Sequence, residues 1–200
     1  MGLVHIYCGD GKGKTSAACG LAVRMAGRGN HVVIARFLKT DDSGEVETLK
    51  QISNIHIIPC EKEFGFIFAM DDETKKEAAE FNTELFQKAV QTTLEWCKGN
   101  ACSVQDESTD QVESDGQDKC AAQSQCLLVL DEIMAAVNFH MVPEALVLEF
   151  LKNKPENLEV VLTGRDPSEQ MQEMADYISE VKKVRHPFEK GISARIGIEY

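Results

Sequence analysis

The residues best suited to chemistry stand near the N-terminus, in the run GDGKGKT at residues 9–15. This run follows a short apolar strand pattern and opens a helical pattern, the context that a phosphate-binding loop requires. Its glycines let backbone N–H groups turn inward around phosphate oxygens, and a helix start adds partial positive charge. We predict that Lys14 reaches phosphate and that the Thr15 hydroxyl binds Mg²⁺. The candidate nucleotide-binding residues are Gly9, Asp10, Gly11, Lys12, Gly13, Lys14, Thr15 and Ser16.

The run departs from the common phosphate-loop pattern at one position. The pattern GxxxxGK[ST] places a glycine at position 8, where this chain has Cys8. The alternative interpretation is a glycine-rich turn that carries lysines by chance. The strand before the run, the helix after it and the Lys-Thr pair together favour the phosphate loop.

Charged residues follow two further apolar runs. Asp131 and Glu132 come directly after the run LLVL at 127–130, and Arg165 follows Thr163 and Gly164. Carboxylates at the end of a buried strand suit a Mg²⁺ shell, although they could also simply enter solvent. Ligands of open α/β sheets lie beyond the carboxyl ends of the strands, which places Arg165 to neutralise phosphate. The alternative for Arg165 is an ordinary surface arginine. We predict Thr15, Asp131 and Glu132 as metal ligands.

Apolar strand patterns alternate with helical patterns along the chain. Near-continuous apolar strands separated by helices favour a parallel sheet covered on both faces. The predicted fold class is therefore α/β, a P-loop NTPase-like (RecA-like), mostly parallel sheet. The predicted strands span residues 3–8, 31–38, 54–60, 126–130, 158–163 and 177–184, and the predicted helices span 13–28, 71–96, 143–153 and 168–175.

Residues 99–125 interrupt this alternation. They contain six acidic residues, one lysine and almost no large apolar side chain, so they cannot bury enough surface to offset their ordering entropy. We expect a mobile acidic insert, with an acidic interaction surface as the alternative. The length of 200 residues otherwise suits a single α/β domain spanning residues 1–200.

Composition restricts the partners and the compartment. The net charge of −12 disfavours general affinity for nucleic acid, although a local basic pocket for a phosphorylated small molecule is compatible with it. We expect neither a secretion signal nor a membrane span, since no apolar run approaches the required length. The seven cysteines include no CxxC pair, which favours reduced thiols in the cytoplasm over disulfides or a zinc site.

Together these motifs resemble a known family, the P-loop type of corrinoid (cobalamin) adenosyltransferase. The resemblance covers nearly the whole chain apart from the acidic insert. Its closing pattern HPF-x-KGI…GIEY is far more specific than a phosphate loop. The matching segments are GDGKGKTSAACGLAVRMAGRG at 9–29, RFLK at 36–39, GFIF at 65–68, LVLDEI at 128–133, VVLTGRDP at 160–167, ADYISE at 175–180 and HPFEKGISARIGIEY at 186–200.

The resemblance implies transfer of the 5′-deoxyadenosyl group of ATP to the Co(I) centre of a corrinoid, with release of triphosphate. Co(I) is itself a strong nucleophile, so no protein nucleophile or general base is needed. ATP and Mg²⁺ are the implied co-substrate and cofactor, with Lys14, Thr15, Glu132 and Arg165 as catalytic residues. The resemblance also implies a homodimer and an electron-donating partner such as a flavodoxin or a flavin reductase.

By the same resemblance, Phe66 and Phe68 contact the lower face of the corrin and favour loss of its axial ligand. The alternative for both is a pair of core aromatics. This chain departs from the family where Phe68 replaces a frequent tryptophan, Arg36 a glutamine, Thr40 a glycine and Met134 an asparagine.

Two other functions remain open at the level of sequence. A P-loop ATPase or kinase would hydrolyse ATP or transfer its γ-phosphate, and a nucleotide-dependent regulator would perform no chemistry of its own. The reaction products distinguish these three functions, because they are triphosphate, ADP or none.

Overall fold

Six parallel strands form one sheet in the computed structural model, which describes residues 1–65, 67–99 and 125–199. Their order across the sheet is β3-β2-β4-β5-β1-β6, and every neighbouring pair is parallel. This arrangement confirms the predicted fold class. The strands are β1 (Val4–Cys8), β2 (His31–Arg36), β3 (Ile55–Ile57), β4 (Cys126–Asp131), β5 (Leu158–Thr163) and β6 (Tyr177–Glu180).

Helices connect the strands. The phosphate-loop glycine Gly13, at φ 117°, immediately precedes the first helix, and the Ser168 hydroxyl caps the last by accepting a hydrogen bond from the Met171 N–H at 3.1 Å. Short 3₁₀ turns lie at Ile67–Ala69 and Pro187–Lys190. The helices are α1 (Lys14–Ala26), α2 (Gly44–Leu49), α3 (Asp72–Gly99), α4 (Ile133–Asn138), α5 (Glu144–Asn153) and α6 (Glu169–Glu173).

Side chains alternate between two cores along the central strand. Leu127 and Val129 of β4 pack on the face covered by α1 and α2, where Ala18 is a buried partner. Leu128 and Leu130 pack on the opposite face, which α3, α4, α5 and α6 cover. All four strand residues are essentially inaccessible to solvent. A strand buried on both faces must be apolar at every position, which explains its unbroken apolar run.

The structure corrects several predicted boundaries. The strand predicted over 54–60 pairs only at Ile55–Ile57, and the one predicted over 177–184 ends at Glu180. The sequence patterns missed α2 and α4, which have only six residues each and therefore show little periodicity. Most of the predicted acidic insert, residues 100–124, lies outside the described residues.

A buried phenylalanine fixes the path of the chain after β2. Phe37 has no exposed surface, and its N–H donates to the Asp131 carbonyl oxygen at 2.9 Å. The pairing of β2 with β4 therefore continues one residue past the end of β2. Leu38 then takes a left-handed conformation at φ 55°, and the chain turns across the end of β4. Phe37 thus anchors the residues that follow it above the carboxyl edge of the sheet.

We expect Phe37→Ala to lower the free energy of unfolding by about 3–5 kcal/mol, the usual cost of removing a buried aromatic ring. Urea unfolding at equilibrium measures this change. The matched control is Phe139→Ala, because Phe139 is 52% exposed. The control should cost less than about 1 kcal/mol. Equal losses in the two variants would contradict the anchoring role of Phe37.

Candidate functional site

A cleft of about 930 Å³ opens at the carboxyl edge of the sheet. Its lining residues come from the segments that follow all six strands, so every strand contributes to it. This is where ligands bind in open α/β sheets. The predicted site residues that line the cleft are Asp10, Gly11, Lys12, Gly13, Lys14, Thr15, Ser16, Glu132 and Arg165.

The loop between β1 and α1 packs closely against the chain that follows β6. The Gly11 N–H donates to the Val181 carbonyl oxygen at 2.8 Å, and a Cβ atom at Gly11 would lie 2.8 Å from that same oxygen. Only glycine fits this close approach. Asp10 accepts a hydrogen bond from the Lys183 N–H at 2.8 Å, which lowers the pKa of the Asp10 carboxyl. The chain that follows β6 therefore fixes the position of this loop without any ligand.

Lys14 lies inside the curve of this loop. Its side chain is 7% exposed, and its ammonium donates to the carbonyl oxygens of Gly9 at 2.8 Å and Gly11 at 3.0 Å. Burial lowers the pKa of Lys14, while the nearby Glu132 carboxylate acts in the opposite direction. The structure therefore places a buried cation at the start of α1, facing the cleft.

Asp131 is a buried carboxylate whose oxygens accept hydrogen bonds from three directions. Its side chain is 2% exposed. Oδ1 accepts from the Thr15 hydroxyl at 2.9 Å and from the Thr163 hydroxyl at 2.6 Å. Oδ2 accepts from the Lys39 ammonium at 2.7 Å. The predicted pair of Thr15 and Asp131 is thus in direct contact.

Glu132 takes a left-handed backbone conformation, at φ 62° and ψ 22°. Its N–H donates to the Thr163 hydroxyl at 2.8 Å, so Thr163 links the two acidic residues. A non-glycine residue in this conformation costs of order 1–3 kcal/mol, and such strain concentrates at functional sites. The turn directs the Glu132 side chain to the cleft, where its Oε1 atom lies 3.9 Å from the Lys39 ammonium.

Lys39 is a site residue that the sequence reasoning did not select. Its ammonium also donates to the Thr15 hydroxyl at 3.0 Å, so it contacts both Thr15 and Asp131. The available signal was its position just beyond an apolar strand, at the edge where ligands bind. Its actual contacts depend on the sheet order, which places β2 beside β4.

The remaining cationic residues differ in their surroundings. Arg165 is exposed and lines the cleft beyond β5. Lys12 donates to the Ile198 carbonyl oxygen at 2.7 Å and to Glu199 Oε1 at 3.1 Å, so its ammonium binds the C-terminal segment. Arg195 also binds Glu199, and these hydrogen bonds lower the pKa of Glu199 to about 2.

Arg36 is buried at the end of β2, with 4% of its surface exposed. Its Nη1 atom lies 3.7 Å from Asp41, and both Nη1 and Nε lack a hydrogen-bond partner within the described part of the chain. The Ser43 hydroxyl is similarly buried and unpartnered there. Arg36 is the last residue of β2, and Asp41 and Ser43 lie in the stretch that follows it; Arg36 and Ser43 line the cleft. The sequence had marked Arg36 only as a departure from the family pattern.

Of the two predicted aromatic contacts, the structure describes one. Phe66 lies outside the described residues. Phe68 is 88% exposed on the turn Ile67–Ala69, and its neighbours Phe64 and Met70 line the cleft. The core-packing alternative is therefore wrong for Phe68. His186 also lines the cleft.

Two structural features of the described residues concern metals and membranes. Within residues 1–65, 67–99 and 125–199, no group of three or more His, Cys, Asp or Glu side chains could hold a metal ion. No helix in these ranges has the length and apolar character needed to cross a bilayer. Protein side chains alone therefore offer few metal ligands here.

The fold has a counterpart among solved structures. The chain is similar to EssC (ATPases 2 and 3) from Geobacillus thermodenitrificans, with a TM-score of 0.50 and 14% sequence identity. The similarity covers 98% of this chain and 35% of that chain, so the chain spans about a third of it. At this identity the likeness indicates the fold alone, and it is consistent with a P-loop NTPase-like sheet.

Sequence relatives indicate the family. The corrinoid adenosyltransferases of Escherichia coli K12 and Salmonella typhimurium LT2 are each 29% identical, over 100% of this chain and 86% of each relative. The corrinoid adenosyltransferase of a Sinorhizobium species is 30% identical, over 100% of this chain and 80% of the relative. The family model described as "ATP:corrinoid adenosyltransferase BtuR/CobO/CobP" matches residues 1–200. The chain therefore belongs to the ATP:corrinoid adenosyltransferase family.

Proposed function

We propose that this protein binds ATP in the cleft and transfers its 5′-deoxyadenosyl group to the Co(I) centre of a corrinoid, releasing triphosphate. The observation that carries the proposal is that the phosphate loop, Glu132 and Arg165 line one cleft in a member of this family, with Asp131 bound to Thr15 of that loop. In this proposal the loop of residues 9–16 binds the nucleotide.

The triphosphate end of ATP is bound by cations and backbone N–H groups. Lys14 lies at the helix start, where the partial charge of α1 adds to its own, and Arg165 faces it from beyond β5. These groups stabilise the charge that develops on the leaving triphosphate. Gly9 and Gly13, at φ 106° and 117°, give the loop the curvature that brings its N–H groups to phosphate.

The oxygen ligands present fit Mg²⁺, a hard cation that prefers oxygen. The Thr15 hydroxyl and Asp131 Oδ1 are 2.9 Å apart, and a lysine ammonium already contacts both residues. Thr15, Asp131 and Glu132 are the residues that would hold the ion. When bound, Mg²⁺ would neutralise phosphate charge and so stabilise the leaving group.

The reaction needs positioning more than acid–base chemistry. Co(I) donates an electron pair to the C5′ atom, so a cobalt–carbon bond forms as the C5′–O bond breaks. The bonding electrons leave with the triphosphate, and cobalt becomes formally Co(III). The residues of the cleft hold C5′ in line with cobalt, and such alignment can supply several kcal/mol of the barrier reduction.

The corrinoid contacts the end of the cleft formed by the segment that follows β3. Phe66 and Phe68 pack against the lower face of the corrin, and the 88% exposure of Phe68 leaves its ring accessible for that contact. Aromatic rings exclude water and the displaced axial base with little loss of rotamer freedom. Loss of that base makes Co(II) easier to reduce, and an external flavodoxin- or flavin-reductase-like protein supplies the electron.

The proposal extends to assembly and compartment. The edge strand β6 and the segment after it expose large apolar side chains, which favours burial against a second copy of the chain. All five cysteines in the described residues are free thiols, as a reducing cytoplasm maintains them. The exposed apolar residues are Tyr177, Ile178, Val184, Phe188, Ile192, Ile196 and Ile198.

The reaction products test the proposed function directly. With MgATP and chemically reduced corrinoid, we expect one triphosphate for each cobalt–carbon bond formed, measured by chromatography and by the visible spectrum of the corrinoid. Lys14→Met serves as a control and should lower turnover at least about a hundredfold, as loss of one charge-stabilising group does. Stoichiometric ADP would instead support the ATPase or kinase function.

Thr163 positions both acidic residues, and Thr163→Val tests this role. The change removes a hydroxyl with no exposed surface that bonds Asp131 and the Glu132 N–H. We expect a loss of about 1–3 kcal/mol in the free energy of unfolding, because buried polar groups lose their partner. In the control Thr93→Val, the lost bond goes only to the Ala89 carbonyl within α3, and the cost should be less than about 1 kcal/mol. A control as damaging as Thr163→Val would contradict this role.

Phe68→Ala tests the corrinoid contact. Starting from Co(II) and a protein reductant, we expect adenosylation to fall at least about tenfold, the scale of a lost aromatic contact. Starting from chemically prepared Co(I), the loss should be much smaller, because reduction is no longer required. The corrinoid spectrum follows both reactions.

The control for this experiment is Phe139→Ala, which removes another exposed ring. It should leave both rates unchanged, and neither variant should alter the melting temperature. Equal losses from Co(II) and Co(I) in Phe68→Ala would contradict a role in assisting reduction.

A further inference from the structure

Lys39 contacts the same oxygens that Mg²⁺ would need. Its ammonium lies 2.7 Å from Asp131 Oδ2 and 3.0 Å from the Thr15 hydroxyl, with Glu132 Oε1 at 3.9 Å. These three residues are the proposed metal ligands. Two cations this close to one carboxylate repel each other strongly in a buried site. The ammonium and a divalent ion therefore compete for Asp131.

The protein by itself provides few ligands to a free metal ion that would displace the Lys39 ammonium from Asp131. In the described ranges no cluster of three or more His, Cys, Asp or Glu side chains is available as a ligand set. Mg²⁺ commonly binds through one or two carboxylates together with substrate phosphates. A bound triphosphate therefore supplies the oxygen ligands that the protein does not provide to the ion. It also gives the displaced Lys39 ammonium a new anionic partner.

Lys39 is also better able to move than the carboxylate that it binds. Its side chain is 29% exposed, whereas that of Asp131 is 2% exposed and Lys14 is 7% exposed. Lys39 lines the cleft, on a flexible four-carbon stem beyond the buried anchor Phe37. The ammonium can therefore leave Asp131 and remain within the phosphate-binding region.

We infer that Lys39 and the divalent cation neutralise Asp131 in turn. Lys39 occupies the carboxylate until MgATP enters, and its ammonium then binds the triphosphate while the cation takes its place. The Lys39 ammonium thereby opposes the binding of free metal ions at Asp131, and it couples metal binding to nucleotide binding. This inference rests on the proposed function, since it requires the triphosphate to bind beside Thr15.

Direct binding measurements on Lys39→Met test the inference without turnover. Mn²⁺ alone serves as the probe of the metal site, with unbound Mn²⁺ measured by electron paramagnetic resonance. Calorimetry measures the affinity for MgATP in the absence of corrinoid. We expect Mn²⁺ alone to bind at least about tenfold more tightly, because the competing charge is gone. We expect MgATP to bind at least about tenfold more weakly, because one charge-assisted phosphate contact is lost.

Two further variants locate the effect. In the double variant Thr15→Val with Lys39→Met, the gain in Mn²⁺ affinity should disappear, which would place the ion at this site. In Lys75→Met, which removes a lysine of α3 whose side chain is 44% exposed, both affinities should match the wild type. Thermal unfolding of each variant verifies that the fold is intact.

The outcomes separate this inference from the proposed function. Unchanged Mn²⁺ binding in Lys39→Met overturns the inference, and so does unchanged MgATP binding. Unchanged MgATP binding would make Lys39 a structural ion-pair partner only. In that case wild-type binding of MgATP still supports the proposed nucleotide site. Failure of the wild type to bind MgATP overturns both.

Discussion

A single buried carboxylate, that of Asp131, links several segments at the carboxyl edge of the sheet. It ends the central strand β4 with 2% of its side chain exposed, where an unpaired charge would cost several kcal/mol. Its stability therefore depends on partners from three other segments: Thr15 after β1, Lys39 after β2 and Thr163 at the end of β5. The Asp131 carboxylate thus joins the chain ends of β1, β2, β4 and β5.

The order of the strands makes this convergence possible. β4 lies between β2 and β5, with β1 next beyond β5, so the chain ends of all four strands meet within a short distance. Parallel pairing directs every carboxyl end to the same edge, and connections of a helix or more return the chain to the opposite edge. Phe37 continues the pairing with Asp131 by one residue, which keeps Lys39 beside the carboxylate. A fully buried sheet thereby positions polar groups that are distant in the sequence.

Local sequence patterns predicted many residues of the candidate site. The residues that these patterns did not identify depend on tertiary contacts. The phosphate loop, Asp131 and Arg165 each follow an apolar strand, so their position at the ligand-binding edge follows from the fold class. Lys39 follows a strand in the same way, but its selection requires knowing which strands are neighbours. The burial of Arg36 likewise depends on how the stretch after β2 folds over it. The short helices were missed because six residues carry too little periodicity.

The proposed function requires an acidic protein to bind the polyanion ATP at this edge, and the distribution of charge bears on how it would do so. The net charge of −12 opposes the approach of ATP at long range, but screening by salt limits that repulsion to about 8–10 Å. The described residues that line the cleft include six lysines and arginines and six aspartates and glutamates. The cations are Lys12, Lys14, Arg36, Lys39, Lys62 and Arg165, and the acidic residues are Asp10, Asp42, Glu45, Glu63, Glu132 and Glu199. This balance leaves no excess of positive charge to neutralise a triphosphate, so in the proposed function a divalent cation would accompany the nucleotide. Asp131 and Glu132 would repel a nucleotide that carries no metal ion, and the same two carboxylates would bind the metal ion of a metal–nucleotide complex. Under the proposed function, charge balance would select the metal–nucleotide complex over either component, before any contact with the base or the sugar.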